Sequence, residues 1–365
     1  MNGRERLTRV FRGKVADRIP FAPVIRADTL QLYPPEIQKR GPIEFTKMIG
    51  GDLVYRSHPC KIENDAVKVV KRGEDEKYVY AEYQTKIGNL SIIHQKHELG
   101  GLHNRIVKWP IEKPSDYRVM EHILEHQVAK PDNEGVLKAD EEVGDSGILM
   151  GFQTSSPVQN LIQEWMGLVQ FYNHLMKYTA DLENLMALMH EKNTEVYEVM
   201  AESPVEVQCI IENTDIGLVS PKIYEKYSMK HVKDFVDIMH RHGKIAIVHM
   251  CGKINGLLQL IKQTGLDGID TLTPVPVGDI EYRRVYQLFG EKFVVYGALQ
   301  ATSWHLKYLT LQDIERNIDE FVKDVLDKPF IFLLGADGLP GVPIEKFKAI
   351  AKFVQKIHLQ MRLLQ

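Results

Sequence analysis

Eight short apolar segments, separated by longer amphipathic stretches, restrict the fold of this sequence more than any other feature. Most of them are continuously apolar, which is typical of parallel strands covered by helices. Eight such strands predict an α/β fold, a (β/α)8 TIM barrel, rather than an open doubly wound sheet. The predicted strands are Phe21–Arg26, Asp52–Arg56, Gly147–Phe152, Val205–Glu212, Lys244–Met250, Gly268–Leu272, Phe293–Leu299 and Phe330–Ala336.

The stretches between these strands have the pattern of amphipathic helices. Ser220 and Pro221 are typical of a helix start, because serine caps the first turn and proline fits its geometry. Apolar residues then recur every three or four positions, and Gly243 is predicted to end this helix. A second helix is predicted over about 254–264. The order strand, helix, strand indicates βαβ units with right-handed crossovers.

Residues 77–109 interrupt this alternation. Apolar and polar residues alternate there around Ile87-Gly88-Asn89, which is typical turn material, so we expect a β-hairpin inserted in the barrel. No linker rich in proline, glycine or serine divides the chain. The sequence therefore predicts a single domain over residues 1–365.

Composition excludes several classes of function. Lysine and arginine (46) are outnumbered by aspartate and glutamate (49), which disfavours a nucleic-acid partner. No segment approaches the roughly 18 apolar residues of a membrane-spanning helix, and the first residues lack the apolar core of a secretory signal. Three cysteines are too few for a disulfide framework. We expect a cytoplasmic protein without a membrane partner, and the oligomeric state stays open, with a homo-oligomer among the options.

The strongest candidate site is His249-Met250-Cys251-Gly252, at the end of the fifth predicted strand. Active sites of TIM barrels lie at the carboxyl ends of the strands. Residues i and i+2 of a strand face the same side, so the imidazole and the thiol project together. Nitrogen and sulfur are donors that zinc prefers. The alternative is a buried histidine beside a buried free cysteine, which is common.

Polar residues also follow three other predicted strands. Asp270, at the end of the sixth strand, is a candidate third ligand or base. Glu212 and Asn213 end the fourth strand and are candidate catalytic residues, and Asp337 follows the last strand as a further candidate ligand. Each of them has an alternative role as a cap or turn residue. Convergence of several strand ends on one mouth is how barrel enzymes assemble their sites.

Short motifs spread over nearly the whole chain point to a known family. With them the sequence resembles the uroporphyrinogen decarboxylase superfamily, and within it the corrinoid-dependent methyltransferases. This resemblance implies a (β/α)8 barrel. The motifs are Arg4–Arg6, Val10–Gly13, Asp17–Phe21, Ser155–Pro157, Glu212-Asn213, Leu218–Pro221 with Tyr224 and Tyr227, His249–Gly252, Gly265–Asp270, Pro274–Asp279 and Gly335–Pro340.

Two departures from the family pattern bear on the activity. The decarboxylase holds substrate carboxylates with an Arg-Gln-Ala-Gly-Arg motif, of which only Arg26 has a match here, and this disfavours a polycarboxylate substrate. Methyltransferase branches bind zinc through a His-x-Cys pair, which His249 and Cys251 match, plus a cysteine near position 336, where this sequence has Ala336. Asp270 matches the acidic residue of branches that demethylate ethers or methylamines.

The resemblance thus implies a zinc-dependent methyltransferase that moves a methyl group from a small methylated donor to the cobalt of a corrinoid protein. Zinc is expected at His249, Cys251 and Asp270, with Asp337 as a reserve ligand. The sequence lacks the D-x-H-x-x-G motif that ligates a corrinoid, so cobalamin is expected on a separate partner protein. A tetrapyrrole decarboxylase and a non-catalytic corrinoid-binding barrel remain alternatives.

Overall fold

The computed structural model describes residues 1–31, 33–96, 105–275, 277–298, 308–334 and 342–362. The strands in it are β1 Leu53–Ser57, β2 Cys60–Glu63, β3 Lys68–Glu74, β4 Tyr78–Thr85, β5 Gly88–Gln95, β6 Arg105–Lys108, β7 Val128–Pro131, β8 Gly147–Phe152, β9 Val207–Ile211, β10 Ile245–His249, β11 Gly268–Leu272, β12 Val294–Ala298 and β13 Phe330–Leu333. The longer helices are α1 Gly3–Phe11, α2 Gly41–Met48, α3 Tyr117–Glu125, α4 Asn133–Val143, α5 Gly167–Lys177, α6 Thr179–Glu202, α7 Met229–Arg241, α8 Tyr282–Phe289, α9 Leu311–Val322 and α10 Ile344–Arg362. Shorter helical segments are Ala27–Leu30, Pro35–Gln38, Pro114–Asp116, Gly144–Ser146, Pro157–Asn160, Leu161–Trp165, Pro221–Ile223, Tyr224–Ser228, Asn255–Leu257 and Leu258–Lys262.

Seven parallel strands form the central sheet in the order β1-β8-β9-β10-β11-β12-β13. This order confirms the predicted α/β barrel architecture, and seven of the eight predicted strands are present. Apolar side chains fill the inside of the curled sheet, and a larger apolar core lies between the sheet and the surrounding helices. Among the residues that the structure describes, no helix has the length and apolar character needed to cross a membrane.

The first predicted strand, Phe21–Arg26, is wrong as a strand and forms only a bridge between Phe21 and Phe332. Phe332 N donates to Pro20 O at 2.8 Å, and Ala22 N donates to Phe332 O at 2.9 Å. Pro23 follows and has no N–H, so the ladder of hydrogen bonds cannot continue. The segment still joins the two ends of the sheet, because Phe21 O accepts from Asp52 N, directly before β1.

A buried carboxylate, Asp52, holds this junction together. It accepts from Arg6 Nη1 at 2.6 Å, from Arg18 Nη1 at 2.7 Å and from Phe21 N at 3.0 Å. Its side chain is 3% exposed, so these bonds compensate the desolvation of its charge. The motif residues near the N-terminus therefore have a structural role in closing the sheet.

We predict that Asp52→Asn lowers the free energy of unfolding by about 1.5–3 kcal/mol, the range for hydrogen bonds to a charged group. The loss stays moderate because Arg6 keeps its second partner, Asp17, at 2.7 Å. Denaturant unfolding measures it, with Asp140→Asn as the control for an ion pair that is more exposed. Equal stability of Asp52→Asn and wild type would show that Asp52 does not hold the junction.

The insertion is larger than the predicted hairpin. Strands β4 and β5 pair from Tyr78 to Gln95 and confirm the hairpin, but β3 and β6 extend it to a four-stranded antiparallel sheet. Strand β2 precedes this sheet in the chain and β7 follows it, and the two form a separate antiparallel pair. Strand β3 is mostly exposed on both faces, so it lacks the alternation by which a strand is recognised from sequence.

The helix predicted after Ser220 is present. Ser220 caps it by accepting from Ile223 N, and the chain leaves it at Gly243, whose φ of +68° is one that glycine tolerates. A π-helical turn over Tyr224–Ser228 precedes α7 and was not predicted. The second predicted helix is divided into a 3-10 turn at Asn255–Leu257 and the short helix Leu258–Lys262.

Candidate active site

A cavity of about 300 Å³ lies at the carboxyl ends of the parallel strands, the end at which barrel enzymes carry their sites. It is formed by the ends of β1, β8, β9, β10, β11 and β13 together with the segment that follows the Phe21 bridge. Among its lining residues are Arg26, Arg56, Phe152, Asn213, His249, Cys251 and Thr271. Three of the residues predicted from the sequence therefore line one cavity, His249, Cys251 and Asn213, and a fourth, Asp270, contacts its lining.

His249 and Asp270 are joined side by side across β10 and β11. His249 Nδ1 lies 3.0 Å from Asp270 Oδ2, and Arg56 Nη2 donates to the same oxygen at 2.8 Å. Thr271 Oγ1 donates to the other oxygen, Oδ1, at 2.9 Å. Burial opposes the charged imidazolium, but Asp270 and the nearby Cys251 raise the pKa of His249 to about 9. Burial also opposes the charge of Asp270, and Arg56 and His249 nevertheless keep its pKa below the usual value.

Cys251 begins a chain of polar side chains on the β9 side of the cavity. Its Sγ donates to Asn213 Oδ1 at 3.6 Å, and Asn213 Nδ2 donates to Gln163 Oε1 at 2.7 Å. Gln163 Nε2 in turn donates to Gln159 Oε1 at 2.8 Å. These contacts fix the orientation of the Asn213 amide beside the thiol, because each group has a defined partner.

Glu212 faces away from the cavity. Its neighbour Ile211 lines the cavity, and successive side chains of a strand point to opposite faces. Glu212 Oε1 accepts from Ser156 N at 2.6 Å and Oε2 accepts from Ser156 Oγ at 3.0 Å. The carboxylate therefore holds the start of the helical segment Pro157–Asn160, which Ser156 caps, in a place without access to a ligand in the cavity.

Complete burial raises the pKa of Glu212 from 4.5 to about 7, although the two bonds from Ser156 lower it. The raised value means that the folded protein binds a proton that the unfolded chain releases, so this carboxyl group destabilises the fold as pH rises from 4.5 to 7. We predict that the unfolding free energy of wild type, relative to Glu212→Gln, falls by about 3 kcal/mol over that interval, at about 1.4 kcal/mol per pH unit. Parallel pH profiles of the two proteins in denaturant unfolding would contradict this.

The side chains at the mouth fit zinc in part. Asp270 already binds Arg56, His249 and Thr271, so it resembles the carboxylate that orients a metal-bound histidine more than it resembles a ligand. His249 Nδ1 donates its proton to Asp270, and a metal would displace the second proton of the imidazolium from Nε2 and bind the lone pair there. His249 Nε2 and Cys251 Sγ then supply the nitrogen and sulfur donors that zinc prefers. Asp337 lies outside the described residues.

Backbone strain is concentrated at this end of the barrel. Thr271 has φ +67° and Thr154 has φ +50°, and these are the non-glycine residues with positive φ in the described parts of the chain. Thr271 follows Asp270 at an irregularity in the pairing of β11 with β12, and its side chain lines the cavity. A β-branched residue in this conformation is unfavourable, and such strain clusters at functional sites.

Arg56 and Phe152 both line the site, and Arg56 was missed in the sequence analysis. The Arg56 guanidinium lies over the Phe152 ring at 4.0 Å, and that ring meets the His249 imidazole edge-on at 5.7 Å between centroids. Arg56 is the last residue of the second predicted strand, so its position at a strand end was the signal that could have found it.

Comparison with known proteins shows the family to which the chain belongs. The profile of the uroporphyrinogen decarboxylase (URO-D) family matches residues 106–357, and the chain therefore belongs to this family. No match was found among curated proteins.

Two solved structures show the same fold. A methyltransferase from Methanosarcina mazei has a TM-score of 0.62 at 14% identity, covering 98% of this chain and 99% of the other. A B12-independent methionine synthase from Shewanella sp. W3-18-1, in complex with selenomethionine, has a TM-score of 0.51 at 10% identity, covering 95% and 100%.

Proposed function

We propose that this protein transfers a methyl group from a small methylated donor to the cobalt of a corrinoid carried by a separate protein. The observation that carries the proposal is the pair His249 and Cys251 at the mouth of the barrel cavity, with Asp270 bound to His249 Nδ1 at 3.0 Å. A nitrogen donor, a sulfur donor and an orienting carboxylate together have the composition of a catalytic zinc site.

His249 and Cys251 would hold the zinc, and Asp337 or the substrate itself would complete the ligand set. When bound, zinc supplies Lewis acidity that stabilises the electron pair left on the heteroatom of the donor. The predicted role of Asp270 as a direct ligand is replaced in this proposal by a positioning role, because its oxygens already have three partners.

The remaining residues of the site bind and orient the donor. Asn213 presents its amide beside the thiol, and the Gln163 contact at 2.7 Å fixes that amide. Phe152 and the Arg56 guanidinium both line the cavity, where they offer an apolar ring and a fixed positive charge side by side. Glu212 is assigned a positioning role, since it holds the segment that carries Gln159 and Gln163 and does not line the cavity.

The reaction moves the methyl group as a cation equivalent. The bonding pair of the C–O, C–N or C–S bond stays on the heteroatom, and reduced cobalt supplies the pair for the new Co–C bond. A cavity of about 300 Å³ is at the lower limit for a small-molecule pocket and fits a donor such as a methoxyaromatic compound or a methylamine. For this transfer, a separate corrinoid protein would present its cobalt over the barrel mouth.

The test is methyl transfer to free cob(I)alamin from a panel of methoxyaromatic compounds, methylamines and methyl thioethers, followed by the absorbance change of the cobalt. We expect transfer from one class of donor. Because the chain belongs to the URO-D family, uroporphyrinogen is included, and its turnover without methyl transfer would instead support a decarboxylase. Cobalamin binding without turnover of any donor would support a non-catalytic corrinoid-binding barrel.

A further inference from the structure

We propose that the carboxyl-terminal end of helix α3 carries a second metal site, separate from the barrel mouth and formed by His122, Glu125 and His126. Nitrogen and oxygen donor atoms of these three side chains lie within 4.8 Å of one another. Of the groups of three histidine, cysteine, aspartate or glutamate side chains in the described residues, this is the one that meets that limit. The ion it fits is a divalent transition metal of the zinc type.

The sequence places the three residues together by helical geometry. His122, Glu125 and His126 stand at positions i, i+3 and i+4, and side chains at these spacings share one face of a helix. The two imidazole rings have centroids 4.3 Å apart. They also lie in the last turn, where the partial negative charge of the helix end favours a cation.

Two details of hydrogen bonding leave lone pairs for a metal. His126 Nδ1 lies 2.9 Å from His122 O, and because a carbonyl only accepts, Nδ1 carries the proton and Nε2 keeps its lone pair. His122 Nε2 is buried and has no hydrogen-bond partner. A buried polar atom without a partner is costly, so an ion bound there would remove a penalty that the fold otherwise carries.

The donor atoms of the α3 site predict which metal ion binds there and how that ion is distinguished from a metal ion at the barrel mouth. Two imidazoles and one carboxylate suit Zn²⁺, Ni²⁺ and Cu²⁺, and three protein donors leave a coordination position for water. The mouth contains the Cys251 thiol, whereas the α3 site contains no sulfur. Co²⁺ therefore distinguishes the sites, because a thiolate ligand produces a sulfur-to-metal charge-transfer band and a nitrogen and oxygen set does not.

A bound ion would fasten the end of α3 to the chain that leads into β7. His126 caps the helix, and Gln127 is the one residue between it and β7. Metal at free concentration c that binds only the folded form stabilises it by RT ln(1 + c/Kd), so the melting temperature rises with the logarithm of the metal concentration above the dissociation constant. The site is therefore expected to be a structural one whose occupancy is visible in thermal unfolding.

The experiment uses the full chain with Cys251→Ala, so that the sulfur donor at the mouth is removed. We expect this protein to bind one Co²⁺ or Zn²⁺ in calorimetry, with visible Co²⁺ bands and no charge-transfer band, and to melt at a higher temperature with Zn²⁺. Adding His126→Ala or Glu125→Gln should weaken Zn²⁺ binding more than about tenfold, since even outer-shell changes cost about 10–100-fold. Both positions are exposed, so folding is preserved.

Glu121→Gln in the same background is the matched control, because it neutralises a carboxylate of α3 outside the three-residue group. It should keep the affinity and the Zn²⁺-dependent rise in melting temperature. Equal Zn²⁺ affinity in the His126→Ala, Glu125→Gln and Glu121→Gln proteins would overturn the proposal, as would the absence of any Co²⁺ binding in the Cys251→Ala protein.

Discussion

Cys251→Ala and His249→Ala are each expected to remove zinc from the barrel mouth and to reduce methyl transfer by about a hundredfold or more. Lewis-acid stabilisation by a metal contributes several kcal/mol to a transition state, and each 1.4 kcal/mol corresponds to about a factor of ten in rate. The two side chains end one strand and line one cavity, so either change leaves a single protein donor there among the described residues. Metal analysis and the initial rate of cobalt methylation measure the two effects.

Cys60→Ala is the matched control for loss of a thiol. Cys60 is buried and lies in the antiparallel pair β2–β7, and it is not among the residues that line the cavity. It should keep wild-type zinc content at the mouth and wild-type methyl transfer. Full zinc occupancy in both Cys251→Ala and His249→Ala would contradict the ligand assignment.

The second large effect is expected for Asp270→Asn. The change removes the negative charge that Arg56 and His249 both contact in a fully buried position. Breaking a buried ion pair costs about 3–5 kcal/mol, and the low end applies because 21% of the Arg56 side chain is exposed. Without the carboxylate, His249 Nδ1 has only a neutral amide oxygen as its acceptor, and zinc affinity should fall by about 10–100-fold.

The double variant Arg56→Met with Asp270→Asn separates these two consequences. Removing both charges eliminates the uncompensated one, so a large part of the unfolding free energy should return. Zinc affinity should stay low, because His249 Nδ1 still lacks the carboxylate. Recovery of zinc affinity along with stability would show that Asp270 acts only through the stability of the fold, against the positioning role.

Much of the fold follows from local patterns in the sequence. Continuous apolar segments predict the seven parallel strands because a covered parallel sheet is apolar on both faces. The strand predicted at Phe21–Arg26 does not form because Pro23 ends the pairing. The remaining bridge from Phe21 to Phe332 joins chain segments about 310 residues apart and is not visible in the local sequence. The four-stranded insertion was underestimated because the faces of β3 differ little in exposure.

The site was predicted unevenly for a similar reason. His249, Cys251 and Asn213 could be found because strand ends are visible in the sequence and barrel sites lie there. Glu212 points away from the cavity because its neighbour Ile211 points into it. The sequence alone does not show which of the two side chains faces the cavity. The pairing of Arg56 with Asp270 joins β1 to β11, and no local pattern links residues 214 positions apart.

Removal and restoration of zinc tests the central claim most directly. The protein would carry His126→Ala, so that metal at α3 does not contribute, and would be depleted by a chelator before methyl transfer from its donor to cob(I)alamin is measured. We predict that transfer stops in the depleted protein and returns in proportion to added Zn²⁺, to a maximum at one equivalent. Full transfer by the zinc-depleted protein would contradict the account.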